Sequence, residues 1–74
     1  MKITYDKKAD AAYIYLAEIP PGGVSFTYSC DPIEIKGMIN LDFNGDNQLI
    51  GIEIMDASRK LSKKIIESAN KIEK

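Results

Sequence analysis

Acidic side chains are the groups of this 74-residue chain best suited to chemistry, because the sequence contains no His and only one Cys. Without His, Cys30 cannot form a Cys–His nucleophile. An enzyme built on this chain would use carboxylates such as Asp10, Asp42 and Glu53, one of them buried to raise its pKa. Asp6 and Asp10 bracket a polar turn, however, where Asp ordinarily accepts hydrogen bonds from backbone N–H groups. We therefore predict a protein that is not an enzyme.

Residues 42–53, DFNGDNQLIGIE, mimic a calcium-binding loop, with acid or amide oxygens at positions 1, 3 and 5 and Glu at position 12. Position 6 is Asn47 where that motif has Gly, and both flanks alternate like strands where the motif has helices. We interpret residues 44–47 as a hairpin turn. The sequence predicts no metal site and no cofactor.

Charge divides the chain into two parts. Residues 1–55 carry four Lys and eight Asp or Glu, a net charge of −4, whereas residues 56–74 carry six Lys or Arg and three Asp or Glu, a net charge of +3. The second part predicts a basic helix face of Arg59, Lys60, Lys63, Lys64 and Lys71. Such a face is either solvated or meets an acidic partner or nucleic acid.

Cellular location follows from the ends and from hydropathy. No apolar run approaches the ~18 residues of a membrane helix, so we predict no membrane contact. MKITYD is typical of a strand rather than of a signal peptide. With a single thiol, these features favour the cytoplasm.

Hydrophobic periodicity predicts one domain over residues 1–74. Alternation with a period of two predicts strands at about 1–5, 11–17, 24–30, 38–43 and 48–55. From Ala57 the period is 3.6, which predicts an amphipathic helix over about 57–72 with Asp56 as its N-cap. The expected fold is α+β: an antiparallel meander of about five strands with the C-terminal helix packed on one face, in two layers.

One helix cannot cover both faces of such a sheet. The second face would retain apolar and aromatic side chains, namely Tyr13, Tyr15, Leu49 and Met55, and these are the candidate interface residues. Small domains often complete their core by oligomerising. We therefore predict a homodimer that forms through this face or through an edge strand.

Three blocks of the sequence resemble the family known as domain of unknown function 2283, a group of small bacterial and archaeal proteins. They are MKITYD with ADAAYIYL, the turn of residues 42–46 with LIGIEI, and DASRKL at residues 56–61. Residues 18–37 are longer and less typical than the family's usual middle. The resemblance implies a small strand-rich fold with a trailing helix and brings no catalytic residues. Some members look as though they are encoded beside small toxin-like proteins, which implies an antitoxin-like role.

Together these features predict a homodimeric, non-catalytic protein-interaction module, with neutralisation of a partner protein as its most concrete form. The alternative is a small regulator that contacts nucleic acid through the basic helix face. An enzyme that uses acidic residues is the third hypothesis.

Overall fold

A computed structural model describes residues 1–72 as a six-stranded sheet with two short helices. The strands are β1 (Lys2–Asp6), β2 (Ala11–Tyr15), β3 (Phe26–Ser29), β4 (Ile39–Phe43), β5 (Leu49–Met55) and β6 (Asn70–Ile72), and the helices are α1 (Ala57–Lys60) and α2 (Lys63–Ser68). The α+β class is as predicted, but the five-strand meander with one helix is wrong. The predicted domain of residues 1–74 includes two residues that lie outside the described range.

The sheet joins a hairpin to a three-stranded meander. Its strand order is β3-β4-β5-β2-β1-β6, so that β5 returns to pair with β2 rather than ending the sheet. In that pair Ala12 lies opposite Ile54 and Ile14 opposite Ile52. The long connection between β2 and β3 carries the chain to the far edge and leaves the side of β2 open for β5. β6 pairs with β1 in parallel, and all other neighbours are antiparallel.

The single helix predicted over 57–72 is two helices and a strand. Leu61 is extended (φ −107°, ψ 151°) and ends α1. Ser62 is also extended, and its hydroxyl accepts the N–H of Ile65 at 3.3 Å as the N-cap of α2. Inside a helix the Ser side chain competes for backbone hydrogen bonds, whereas at the start of a helix it stabilises the first turn. The helix is therefore interrupted at Ser62 and a new one begins. After α2, residues 70–72 pair with β1 and cover an edge that would otherwise stay open.

The core lies between the two helices and one part of the sheet. It consists of Tyr5, Ala12 and Ile54 from the strands, with Ala57 and Ala69 from the segment that follows β5. We call the side of the sheet that carries Tyr5, Ala12 and Ile54 the helix side, and the opposite side the open side. The helices cover the helix side around β1, β2 and β5, whereas every residue of β3 is exposed. Within residues 1–72, neither helix has the length or the apolar character needed to span a bilayer.

Candidate functional site

Asp10 connects the first hairpin to the first helix. Its carboxylate accepts hydrogen bonds from the Tyr5 hydroxyl at 2.7 Å, the Ser58 N–H at 3.0 Å and the Ser58 hydroxyl at 2.7 Å. Its carbonyl oxygen also accepts the Ala57 N–H at 2.9 Å. Asp10, which precedes β2, therefore caps a helix 47 residues further along the chain. We call Tyr5, Asp10 and Ser58 the Asp10 cluster.

Asp56 is the N-cap residue of α1, as predicted, but the predicted capping by its carboxylate is wrong. Asp56 has a left-handed backbone (φ 52°), and its side chain makes no cap hydrogen bond. Its carboxylate lies 3.4 Å from the Arg59 guanidinium instead. The tight left-handed turn at Asp56 directs the first N–H groups of α1 toward Asp10, which supplies the acceptors.

The electrostatics of the Asp10 cluster favour the ionised form of its carboxylate. Hydrogen bonds from Tyr5 and then from Ser58 hold the pKa of Asp10 below its usual range. The same hydrogen bond to Asp10 raises the pKa of Tyr5. A general acid needs a raised carboxyl pKa. The hydrogen bonds of the cluster fix α1 against the hairpin.

A second polar network crosses the open side of the sheet. The Tyr13 hydroxyl of β2 donates to Asp42 of β4 at 2.5 Å, and the Thr27 hydroxyl of β3 donates to the same carboxylate at 2.7 Å. Tyr13 crosses β5 at Gly51, where a Cβ atom would lie 2.6 Å from the Tyr13 Cζ atom and 2.7 Å from Cε1. The missing side chain at Gly51 thus leaves the space in which the ring lies. Burial and the Asp42 hydrogen bond raise the pKa of Tyr13.

The acids considered for catalysis are all bonded to neutral donors. Glu53 accepts the Asn40 amide at 2.8 Å, next to the Tyr13–Asp42 network, whereas Asp10 lies at the start of α1. In residues 1–72 no group of three or more His, Cys, Asp or Glu side chains is placed to hold a metal ion. These hydrogen bonds join β4 to β5, β2 to β4, and the β1–β2 turn to α1.

The segment that mimics a calcium loop is the hairpin between β4 and β5, as interpreted from the sequence. The Asn44 side chain accepts the N–H groups of Asp46 and Gln48, each at 3.0 Å. The Asn44 N–H donates to the Gln48 carbonyl at 2.9 Å and closes the turn. Asn47 takes the left-handed conformation (φ 60°) that the turn requires.

The basic residues do not share one helix face, contrary to the prediction. Arg59 and Lys60 lie on α1, Lys63 and Lys64 on α2, and Lys71 on β6. The Arg59 guanidinium donates to the Lys36 carbonyl at 2.7 Å, and Lys60 donates to the Ile35 carbonyl. Both therefore anchor the connection between β3 and β4 to α1.

Lys71 also acts within the fold. Its ammonium group donates to the carbonyls of Ile66 at 2.7 Å and Ala69 at 2.8 Å, at the C-terminal end of α2. A cation at this end of a helix satisfies carbonyls that have no helical partner. The two remaining predicted basic residues, Lys63 and Lys64, lie on α2 and are exposed.

The four candidate interface residues are only partly brought together. The rings of Tyr13 and Tyr15 lie 4.7 Å apart on the open side, and Met55 shares that side because it lies opposite Ala11. Leu49 lies opposite Phe43 beyond a β-bulge, and residues directly opposite one another share a face. Leu49 is therefore on the helix side. A role of these residues in an interface stays a prediction.

Sequence reasoning missed the most exposed aromatic residues of the sheet. Phe26 and Tyr28 of β3 are each 55% exposed, although they lie on the helix side next to Phe43 and Leu41. The rings of Phe26 and Phe43 are 6.0 Å apart. We call Phe26, Tyr28, Leu41 and Phe43 the aromatic edge. The alternation of residues 24–30 marked this apolar face, but the sequence suggested that a long helix would cover it.

The fold and these surfaces define a small α+β domain whose polar clusters hold its elements together and whose apolar side is only partly covered. The chain belongs to the family described as Protein of unknown function (DUF2283), whose model matches residues 2–58. The suspected family is thus confirmed. No curated protein and no solved structure matches the chain.

The matched range ends at Ser58, so it contains the whole Asp10 cluster. It also contains Tyr13, Gly51 and Asp42. The blocks that carry the family resemblance therefore supply the contacts that join β1 and the β1–β2 turn to the start of α1, and those that join β2 to β4 across β5.

The Asp10 cluster makes stability depend on pH in a defined direction. We expect Asp10→Asn to lower the temperature of unfolding at pH 7, because the amide replaces an ionised acceptor of three hydrogen bonds. The pKa of Asp10 is lowered on folding, so its stabilisation is present above the ordinary carboxyl pKa of about 3.9 and is lost as the pH falls through the folded value. The difference between wild type and variant should therefore shrink below about pH 4. Asp46→Asn, in the exposed hairpin, is the control, and an equal loss in both variants would contradict this role.

Gly51 and Tyr13 form a testable pair. We expect Gly51→Ala to lower the free energy of unfolding by about 1 to 3 kcal/mol, because the new methyl group occupies the space of the Tyr13 ring. The loss should be smaller in a Tyr13→Phe background, which removes the nearest atom. Gly45→Ala is the matched control, since a Cβ there meets nothing within 4 Å. Urea unfolding of the wild type, the two single variants, the double variant and the control measures these losses, and strictly additive losses would show that Gly51 and Tyr13 do not interact.

Proposed function

We propose that the protein is a non-catalytic interaction module that assembles as a homodimer through its aromatic edge. The observation that carries this proposal is the 55% exposure of both Phe26 and Tyr28 on the otherwise apolar side of the sheet. Large apolar side chains grouped at one edge are typical of a binding surface, whereas single exposed ones are common anywhere. The homodimer would extend the small core of each copy.

The position of the helices supports this placement. α1 is fixed over β2 and β5 by the Asp10 cluster and by the burial of Ala57. The chain then turns through α2 to pair β6 with β1, away from β3. The described part of the chain therefore leaves the aromatic edge to a second molecule.

The open side is a weaker candidate for the dimer contact. The Tyr13 ring is packed at Gly51 and its hydroxyl is bonded to Asp42, so its position is already fixed within one copy. The carboxylates of Asp42 and Glu53 stand on the same side, where a second copy would bring like charges together. We therefore place the homodimer contact at β3 and not at Tyr13 and Tyr15.

The alternative of a nucleic-acid-binding regulator has less support. Three of the five predicted basic residues, Arg59, Lys60 and Lys71, donate to backbone carbonyls within the fold. Lys63 and Lys64 alone offer few phosphate contacts, and affinity for nucleic acid grows with the number of such contacts.

In its most concrete form the module would neutralise a partner protein, as the family resemblance implies. The exposed ammonium groups of Lys63 and Lys64 on α2 favour a partner with an acidic surface. Such a partner would bind away from the aromatic edge, so that dimer formation and partner binding are compatible.

Sedimentation velocity at micromolar concentration tests the proposal. We expect the wild type to sediment at twice its monomer mass of 8.2 kDa. Phe26→Asp should sediment as a monomer, because burying the new carboxylate in an apolar contact is unfavourable. Ile33→Asp is the control: Ile33 is 84% exposed in the connection between β3 and β4, so this variant should remain a dimer.

A wild-type protein that sediments as a monomer would contradict the proposal. A dimer that persists unchanged in Phe26→Asp would show that the contact lies elsewhere on the molecule.

A further inference from the structure

β3 is the outermost strand on its side of the sheet, with β4 as its neighbour. The Cys30 N–H donates to the Ile39 carbonyl at 2.9 Å, and Tyr28 lies opposite Leu41 in the same register. Because hydrogen-bonded pairs alternate along an antiparallel ladder, the backbone groups of Tyr28 point to β4. Those of Thr27 and Ser29 point away from β4, toward the open edge.

This edge lacks the features that usually keep a sheet edge from pairing. Native edge strands are blunted by charged side chains, especially Lys, by Pro or by bulges. Residues 23–30, GVSFTYSC, contain no charged residue and no Pro. At the opposite edge, β6 has three residues, and Lys71 is one of them. β3 is thus the edge at which another strand meets no repulsion.

From this edge we infer that two copies pair β3 to β3 in antiparallel orientation, with the two-fold axis at Tyr28. This inference rests on the proposed homodimer and specifies its contact. In this register Thr27 of one copy lies opposite the partner's Ser29, and each such pair exchanges two hydrogen bonds. All outward N–H and C=O groups of Thr27 and Ser29 are then bonded, and the two sheets become one.

A second copy fits this edge because a two-fold contact joins the same surface patch of both molecules. A neutral strand can lie against its own copy without bringing like charges together. The register also places Tyr28 against the partner's Tyr28, and Phe26 against the partner's Cys30, on the helix side. The exposed rings of the two copies thereby cover one another.

The neighbouring register, with the axis at Thr27, is less favourable. It would pair Ser29 with the partner's Ser25. The Ser25 N–H already donates to the Phe43 carbonyl at 2.8 Å, so it cannot also bond across the edge. Of these two registers, only the one with the axis at Tyr28 uses outward groups alone.

Disulfide trapping tests the register. In a Cys30→Ser background, Tyr28→Cys places two thiols in a non-hydrogen-bonded pair, where Cα atoms are about 4.5 Å apart, within the range of about 4.4–6.8 Å that a disulfide spans. We expect mild oxidation to convert this variant to a covalent dimer, and the mass on a non-reducing gel to double from 8.2 kDa.

Phe26→Cys provides the matched control. In the Cys30→Ser background this variant should remain a monomer on the gel. The two cysteines at position 26 would lie four residues out of register, about 14 Å apart, which is too far for a disulfide. With Cys30 retained, the same substitution should yield a covalent dimer, because Phe26 lies opposite the partner's Cys30.

The outcomes separate this inference from the proposed function. If the wild type sediments as a dimer and Tyr28→Cys does not crosslink, the dimer forms through another contact and the inferred register is overturned. If Phe26→Cys crosslinks in the Cys30→Ser background, the strands pair in another register. A wild-type monomer overturns both.

Discussion

The structure depends on one constraint: a short segment after β5 must cover the apolar side of a six-stranded sheet. Residues 56–72 are all that the described chain provides after that strand. They cover the area around Tyr5, Ala12 and Ile54, with Ala57 and Ala69 allowing close approach. The remainder of the helix side, which carries the aromatic edge, stays exposed.

Asp10 determines which part of the sheet is covered. Its carboxylate and carbonyl bind the first N–H groups of α1, so the helix must begin beside the β1–β2 turn. The later turn at Ser62 and the pairing of β6 with β1 keep the rest of the segment on the same half. Arg59 and Lys60 bind the connection between β3 and β4, which leaves β3 itself uncovered. The exposed edge is thus a consequence of where the polar contacts place the helices.

The strands were predictable because apolar and polar residues alternate along a strand that buries one face. β1 to β5 lie within about two residues of the predicted positions, and the hairpin at Asn44 was recognised from its turn residues. The helix was not predictable to the same degree. Its apolar period continues through Leu61 and Ile65, and only the backbone shows that Ser62 starts a new helix. The helical period of apolar residues does not show where the backbone changes direction between two helices.

Contacts between distant residues were the hardest to predict. Asp10 caps α1 by accepting a hydrogen bond from Ser58, which lies 48 positions further along the chain. From the sequence, Asp56 was the plausible cap because it directly precedes the helix. The packing of Tyr13 at Gly51 and the exposure of Phe26 both depend on the strand order β3-β4-β5-β2. Alternation assigns residues to faces, but it does not show which part of a face lies under a helix.

Amide hydrogen exchange of the wild-type protein, followed by NMR at two concentrations, tests the central claim most directly. The account predicts that the Thr27 and Ser29 amides are protected at high concentration and exchange faster on dilution, because their protection comes from a second copy. The Tyr28 amide, which points to β4, should exchange at the same rate at both concentrations while the protein stays folded. Unprotected Thr27 and Ser29 amides under conditions where the protein sediments as a dimer would contradict the account.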